Sequence, residues 1–329
     1  MSGFVHISDS EWQQRLDSLL ASHVMEKSVA EFEDLVTENS EITAWEDFKG
    51  WFEPFHDNGW FRGQSRAIWT LQTKAERATL ADWSADSGDK HYDFVENVMP
   101  EDNEETLLTE FQREAHNYHV TIPASDEIVD WLALMQHYGA PTRMLDWTRS
   151  PYIALYFAMR TDPADKATLW AIDMKWLKER SVELLHQHGE DCPDDPSAFS
   201  GYINRILLRP ENPRIIVPAS PRELNDRMRI QQGELLCNLR HGFAFSTILL
   251  GMMLNPSKVR RQVVSRIVVN KDTGSEFLEK LRRMKIDEAN LFPGNDPFAE
   301  SLTAKLAELV QSQVEKSKQA ILDRHKAHG

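Results

Sequence analysis

Cysteine is nearly missing from this 329-residue sequence: only Cys192 and Cys237 occur, and neither belongs to a Cys-x-x-Cys pair. That argues against a disulfide framework, a cysteine-built structural zinc site and a secreted location. Long apolar runs are missing too. The longest, around Phe243–Leu254, is too short and too broken by polar residues to span a bilayer. The opening MSGFVHISDSEW lacks a basic stretch followed by an apolar one, so no secretory leader is read there. The expected compartment is therefore the cytoplasm, with no membrane partner. Neither a Walker loop nor a Gly-x-Gly-x-x-Gly is present, which argues against a P-loop NTPase or a Rossmann enzyme. The histidines are scattered without metal-ligand spacing, and no metal is expected.

What is present suits a folded chain. Hydrophobic residues make up 41% and charged residues 27%, enough for a core and too apolar for wholesale disorder. The net charge of −15 is unevenly spread. From Arg205 to Arg283 there are 15 Lys/Arg and 7 Asp/Glu, a local +8, which leaves −15 − 8 = −23 for the rest. One face could thus attract a polyanion or a dinucleotide; the bland alternative is that these arginines pair with acidic helices elsewhere.

Periodicity gives a helical beginning over residues 1–58. Trp12, Leu16, Leu19 and Leu20 share one side, a second amphipathic stretch runs from about Val24 to Val36, and Trp45, Phe48, Trp51 and Phe52 recur as packing surface. Strands are predicted at Trp60–Gln64, Met144–Thr148, Thr168–Met174, Arg214–Pro218, Glu234–Leu239 and Arg266–Val269. Helices are predicted at Thr106–His119, Asp126–Tyr138, from Ser150 as N-cap with Pro151 first, and from Ser275 onward. Strands and helices mix without a βαβ rhythm, so the fold class is α+β. The boundaries are a helical N-terminal extension over 1–58, a domain over 59–295 and a C-terminal helix over 296–329.

Functional side chains cluster at predicted strand edges. Phe61-Arg62-Gly63-Gln64 sets a guanidinium beside a glycine that would let backbone approach a ligand; a structural ion pair for Arg62 is the alternative. A richer run follows: Gln136-His137-Tyr138-Gly139-Ala140-Pro141-Thr142-Arg143-Met144-Leu145-Asp146-Trp147-Thr148-Arg149-Ser150-Pro151, then Ala154, Tyr156 and Phe157. Within it His137 could serve as a general base or make a structural hydrogen bond, and Asp146 with Arg143 could form a buried ion pair. Together with the Arg62 motif, this run resembles the FRG domain, with its aromatic-Arg-Gly start and Gln-His-Tyr-Gly-x-Pro-Thr-Arg-x-Leu-Asp-Trp-Thr core. The resemblance spans roughly 60–295, including the stretch from Arg227 to Gly233 and the Leu291-Phe292-Pro293 close.

The layout is in turn similar to the Arg–Ser–Glu class of ADP-ribosyltransferases, which implies a split mixed or antiparallel sheet and NAD as substrate. Arg62 matches the first motif. Thr148 and Ser150 ahead of Ala154 and Phe157 resemble the second, though Trp-Thr-Arg-Ser is not a strict Ser-Thr-Ser. Gln232-Gly233-Glu234 matches the Gln-x-Glu form of the third. On that resemblance Glu234 would stabilise the charge that develops when the nicotinamide–ribose bond breaks. Arg62, with Gly63 and Gln64, would hold the pyrophosphate or the adenosine ribose. Thr148 or Ser150 would fix the nicotinamide ribose, Tyr156 or Tyr138 would stack on the nicotinamide, and Gln232 would orient the acceptor. If Glu234 is instead a surface residue, Gln231, Gln232 or Asp146 takes its place. The resemblance also implies a toxin–antitoxin or phage-defence setting with an antitoxin protein, and the basic segment suggests RNA as acceptor. NAD hydrolysis without transfer and a non-catalytic sensor or binding module remain the competing expectations.

Overall fold

A computed structural model describes residues 36–77, 101–116, 122–160, 165–240, 243–253 and 262–292. The helices read before Val36 and after 296 lie outside the described residues. In chain order the elements are β1 (Thr37–Ile42), α1 (Trp45–Phe52), β2 (Gly59–Gln64), α2 (Glu101–Ala115), α3 (Ile128–His137), β3 (Met144–Thr148), α4 (Pro151–Met159), β4 (Lys166–Asp173) and α5 (Met174–Gln187). They continue with α6 (Pro196–Ile206), β5 (Ile216–Pro218), α7 (Asp226–Ile230), β6 (Gly233–Asn238), α8 (Phe245–Met253), β7 (Val264–Asn270), α9 (Gly274–Arg283) and α10 (Glu288–Leu291). This is an α+β fold around one seven-stranded mixed sheet of order β1-β7-β4-β2-β3-β6-β5. Only β1 with β7 is parallel; the other pairings are antiparallel. Among the described residues no helix is long and apolar enough to cross a membrane.

The sheet has a seam. β2 pairs with β4 at six successive positions, from Gly59↔Asp173 to Gln64↔Thr168. It meets β3 at a single register position, Phe61↔Thr148. Beyond that point the two strands part, and Arg62 bridges them by donating from Nη1 to the carbonyl of Asp146 at 2.6 Å.

Alternation along the strands sends side chains to two cores. Trp60, Trp170 and Ile172 pack with Phe111, Trp131, Leu177 and Leu249 from α2, α3, α5 and α8. On the other face Phe61, Leu169, Ala171 and Val269 pack with Trp51, Leu155 and Phe277 from α1, α4 and α9. One local signal holds as drawn from sequence. Ser150 caps α4 through Oγ, which accepts from Ile153 N at 3.3 Å, with Pro151 at the first position. Gly139, at φ 94°, closes α3 in the left-handed region that a glycine adopts without strain.

Two expectations need correction. Residues 37–42, read as part of a helical extension, form strand β1 at the sheet edge. Its sequence Thr-Glu-Asn-Ser-Glu-Ile has no apolar alternation, because polar contacts anchor it: buried Glu38 accepts from Ser265 Oγ at 2.8 Å and from Gln262 Nε2 at 2.7 Å. Arg143 does not pair with Asp146. It is buried with Glu104 of α2, its Nε 2.5 Å from Oε2, and its Nη1 donates to the carbonyls of Leu207 and Leu239. This arginine ties α2 to the strand-entry loops.

Gly63 earns its place by packing: a Cβ there would lie 1.9 Å from the Ala154 carbonyl oxygen and 2.7 Å from Ala158 N of α4. Gly63→Ala is expected to lower stability by about 3 kcal/mol, since backbone must move on both sides; an unchanged thermal midpoint would refute the contact. Buried Glu76 supplies a second test. Its Oε1 accepts from Phe245 N at 3.0 Å and Thr73 Oγ1 at 3.1 Å, while Oε2 has no hydrogen-bond partner. Burial pushes this carboxyl up to about 7 from 4.5, outweighing those hydrogen bonds. The folded state therefore keeps a proton that the unfolded chain has already lost. Stability should fall as pH rises from about 4.5 through 7, by about 3 kcal/mol from this group. Denaturant titrations across that window should show the fall in wild type and its loss in Glu76→Gln.

Candidate functional site

Where β2 and β3 part, a cleft of about 320 Å³ opens, at the lower end of the range for small-molecule sites. Its floor is the strand ends, with Arg62 and Gly63 from β2, Asp146 to Thr148 from β3, and Gly233 to Leu235 from β6. One wall is the last turn of α3, with Gln136 and His137; the opposite wall is α7 with Arg227, Met228 and the following Gln231. Lys74 and Phe157 complete it.

Of the nine residues given roles in binding NAD or in transfer, Arg62, Gly63, Thr148 and Glu234 line this one cleft, and so do the further candidates His137, Asp146 and Gln231. Antiparallel register sets Glu234 opposite Trp147 and Gly233 opposite Thr148. Glu234 is buried rather than stranded on an outer surface. Its Oε1 takes Arg149 Nε at 2.6 Å and its Oε2 takes Ser220 Oγ at 3.1 Å. Thr148 Oγ1 donates to the Gln231 carbonyl at 2.7 Å and accepts from Ser150 N at 3.1 Å. That hydroxyl holds the turn before β6 instead of facing the cleft unengaged.

The remaining five stand apart from the cleft lining. Ser150 is spent on capping α4. Gln64 donates to the Thr70 carbonyl at 2.9 Å and accepts from Trp170 Nε1 at 2.7 Å, so it fastens two strands and a loop. Tyr138 is buried beside Phe111. Tyr156 donates to Glu288 Oε2 at 2.6 Å and packs near Phe157; burial, that hydrogen bond and the charge of Glu288 push its hydroxyl up to about 12. Neither tyrosine offers a ring to this cleft. Gln232 is exposed at φ 49° in the tight turn entering β6, and its carbonyl accepts from Arg149 N at 3.1 Å.

Sequence reasoning missed the cations. Lys74, Arg77 and Arg227 surround Asp146 together with Arg62: the charge of Asp146 acts on all four. Burial pulls Arg62 down to about 10, with Asp146 opposing and Arg77 adding to the fall. Burial also lowers Lys74, Arg77 and Arg227, each again offset by acidic neighbours. Of these, Arg62, Lys74 and Arg227 line the cleft against Asp146, which leaves 3 − 1 = +2, while Glu234 is matched by Arg149. Asp146 Oδ1 is engaged by Gln136 Nε2 at 2.6 Å. Lys74 and Arg77 fall in a polar segment with no periodic signal; Arg227 could have been found, since it belongs to the basic stretch from Arg205. Two donors on the lining lack partners as well: Arg62 Nε and Trp147 Nε1 are buried without a hydrogen bond. Buried donors of this kind cost free energy unless an acceptor meets them. Among the described residues no group of three or more His, Cys, Asp or Glu is set to hold a metal ion.

An α+β sheet split at a seam, with a cationic cleft at the parting, is what carries the family's motifs. The model of the FRG domain matches residues 57–167 of the chain, from β2 through the start of β4. The match is narrower than the span of 60–295 expected from sequence, and Arg227 and Glu234 lie beyond it. No curated protein and no solved structure matches the chain.

The cation cluster predicts anion binding. Inorganic pyrophosphate should raise the melting temperature of the wild type, less so as salt increases. Arg227→Ala, on the α7 wall of the cleft, should weaken that binding about tenfold, the loss of one charge-assisted contact. A shift equal in both proteins would refute the assignment.

Proposed function

We propose that the cleft takes NAD and that the protein is an ADP-ribosyltransferase acting on an intracellular macromolecule. The observation that carries this reading is the convergence of Arg62, Arg227 and Lys74 with the Glu234 carboxylate around one cleft whose buried donors lack acceptors. A pyrophosphate supplies acceptor oxygens and two negative charges, which answers both the orphaned Arg62 Nε and the local +2. The seven-stranded sheet parting at β2 and β3 supports the ADP-ribosyltransferase type of fold.

In the reaction the C1′–N bond to nicotinamide breaks and its electron pair leaves with the nicotinamide nitrogen. The acceptor's nucleophilic atom bonds to C1′ and gives up a proton. Arg62, Lys74 and Arg227 would bind the pyrophosphate and hold the ribose toward β6. The Glu234 carboxylate would face the positive charge growing at C1′, since a fixed carboxylate in a partly desolvated site stabilises it more than water does. Arg149 and Ser220 fix that carboxylate in place, making them positioning residues. His137, on the wall, is set to take the acceptor's proton. Thr148 acts through the Gln231 carbonyl, as a support for the turn that carries Glu234.

A second reading, NAD hydrolysis, is favoured by one observation: Gln232, the residue expected to orient an acceptor, is outside the cleft. Water then replaces the acceptor, with the same donor site. Incubation with labelled NAD separates these readings. Label on a macromolecule is the expected result, free ADP-ribose supports hydrolysis, and intact NAD rejects both. Glu234→Gln should cut turnover by at least about a hundredfold, the scale of losing one aimed electrostatic contact, while the chain still unfolds in one cooperative transition. If the product is a toxin, expression of wild type and not of Glu234→Gln should arrest the host, and an antitoxin protein is its expected partner.

A further inference from the structure

Behind the wall formed by Ala133, His137, Asn225 and Met228 lies a second cavity, of about 500 Å³, which shares those four residues with the first. Its chemistry is opposite. The acids Glu127, Asp130 and Glu223 face it against one base, Arg222, for −3 + 1 = −2. Two large apolar side chains at its rim are exposed, Ile122 at 39% and Leu224 at 49%. Asp130 at its base is only 8% exposed. Asp130 Oδ1 accepts from Arg222 N at 2.9 Å and Glu223 N at 3.3 Å, while Oδ2 has no hydrogen-bond partner. Glu127 is already engaged, by Arg222 Nη1 at 2.7 Å and Asn204 Nδ2 at 3.1 Å. With Glu223 exposed, the buried acceptor left open is Asp130 Oδ2.

We propose that this second cavity is a recognition subsite for a basic side chain, lysine or arginine, of a polypeptide. A lysine or arginine presents a charged donor at the end of an apolar stem, and the cavity presents a buried carboxylate oxygen beneath an apolar rim. The head group would donate to Asp130 Oδ2 while the stem lies along Leu134 and Leu224. A nucleic-acid backbone fits poorly, because its phosphates would meet the net −2. As an acceptor site this rests on the transferase reading; as a binding site it stands alone. It favours a protein over RNA as the macromolecule, and the position of His137 between the two cavities puts an acceptor atom near the donor cleft.

The test is binding without NAD. N-acetyl-leucyl-lysine amide titrated into the full chain should give saturable binding by calorimetry or NMR. Asp130→Asn, which keeps Oδ1 for the two backbone donors, should weaken it about tenfold. The same peptide with an acetylated lysine should not bind. Leu224→Ser, on an exposed side chain, keeps the fold and should weaken binding severalfold. Equal affinity for the two peptides, or no change in either folded variant, overturns the proposal. So does an oligoribonucleotide that displaces the lysine peptide from the cavity. Basal NAD consumption is measured alongside: Asp130-dependent peptide binding with no NAD turnover sinks the transferase reading alone. NAD turnover with peptide binding indifferent to Asp130 and Leu224 sinks this proposal alone.

Discussion

The site depends on one constraint, the single point at which β2 touches β3. A fully zipped pair of strands would satisfy its backbone groups internally and leave no opening. Here pairing stops after Phe61↔Thr148, and the next residue's guanidinium takes over from the ladder by donating to the Asp146 carbonyl. Arg62 thus has two tasks. It satisfies a carbonyl that the seam would strand, and its remaining donors are held at the parting, where Nε has no partner. A lysine could meet the carbonyl but could not present a second, rigidly placed donor. Gly63 matters for the same reason: β2 can part from β3 only by leaning on α4, and only a residue without a Cβ can approach Ala154 and Ala158 so closely.

Electrostatics follow from that opening. Desolvated cations are costly unless charge of the other sign is near. Asp146 supplies part of it, and it does so from the strand whose backbone Arg62 holds. Asp146 alone does not neutralise Arg62, Lys74 and Arg227 on the lining, and the other lining carboxylate, Glu234, is taken by Arg149. The chain's −15 and the cleft's +2 are therefore compatible. The alternative drawn from composition, that basic residues simply cancel against acidic helices, applies to surface pairs such as Arg282 and Arg283 with Glu279. It does not apply to Arg227, which stacks over Phe292 at the cleft side.

How much was legible in the sequence depends on whether a residue's role is local. β3 was read to the residue because Met144–Thr148 lies between the glycine that closes α3 and a helix cap, and Ser150-Pro151 announces α4 through contacts within three positions. β1 was not, since Glu38 and Ser265 are held together across 227 residues and leave no periodic trace in Thr37–Ile42. The candidate site divides in the same way. Arg62, Thr148 and Glu234 come from recognisable motifs and meet in space. Tyr138, Ser150 and Tyr156 come from the same motifs but are consumed by core packing, a helix cap and Glu288. A motif shows that a residue type is needed without showing whether a ligand or the fold needs it. Lys74 and Arg77 carry no motif at all, and only the folded chain brings them to Asp146.

The division of labour along the chain follows. The residues matched by the family, 57–167, supply the seam, the glycine, α3 with its Gln136 and His137, and the supporting Thr148. The carboxylate and the opposing cation come later, from β6 and α7, and are fixed by contacts back into the matched part: Arg149 to Glu234, and Thr148 to the Gln231 carbonyl. The FRG stretch therefore builds the floor and one wall of the cleft and the handles by which a second wall is gripped. The shape and charge of the cleft are thus set by residues 225–235 as much as by the matched stretch 57–167.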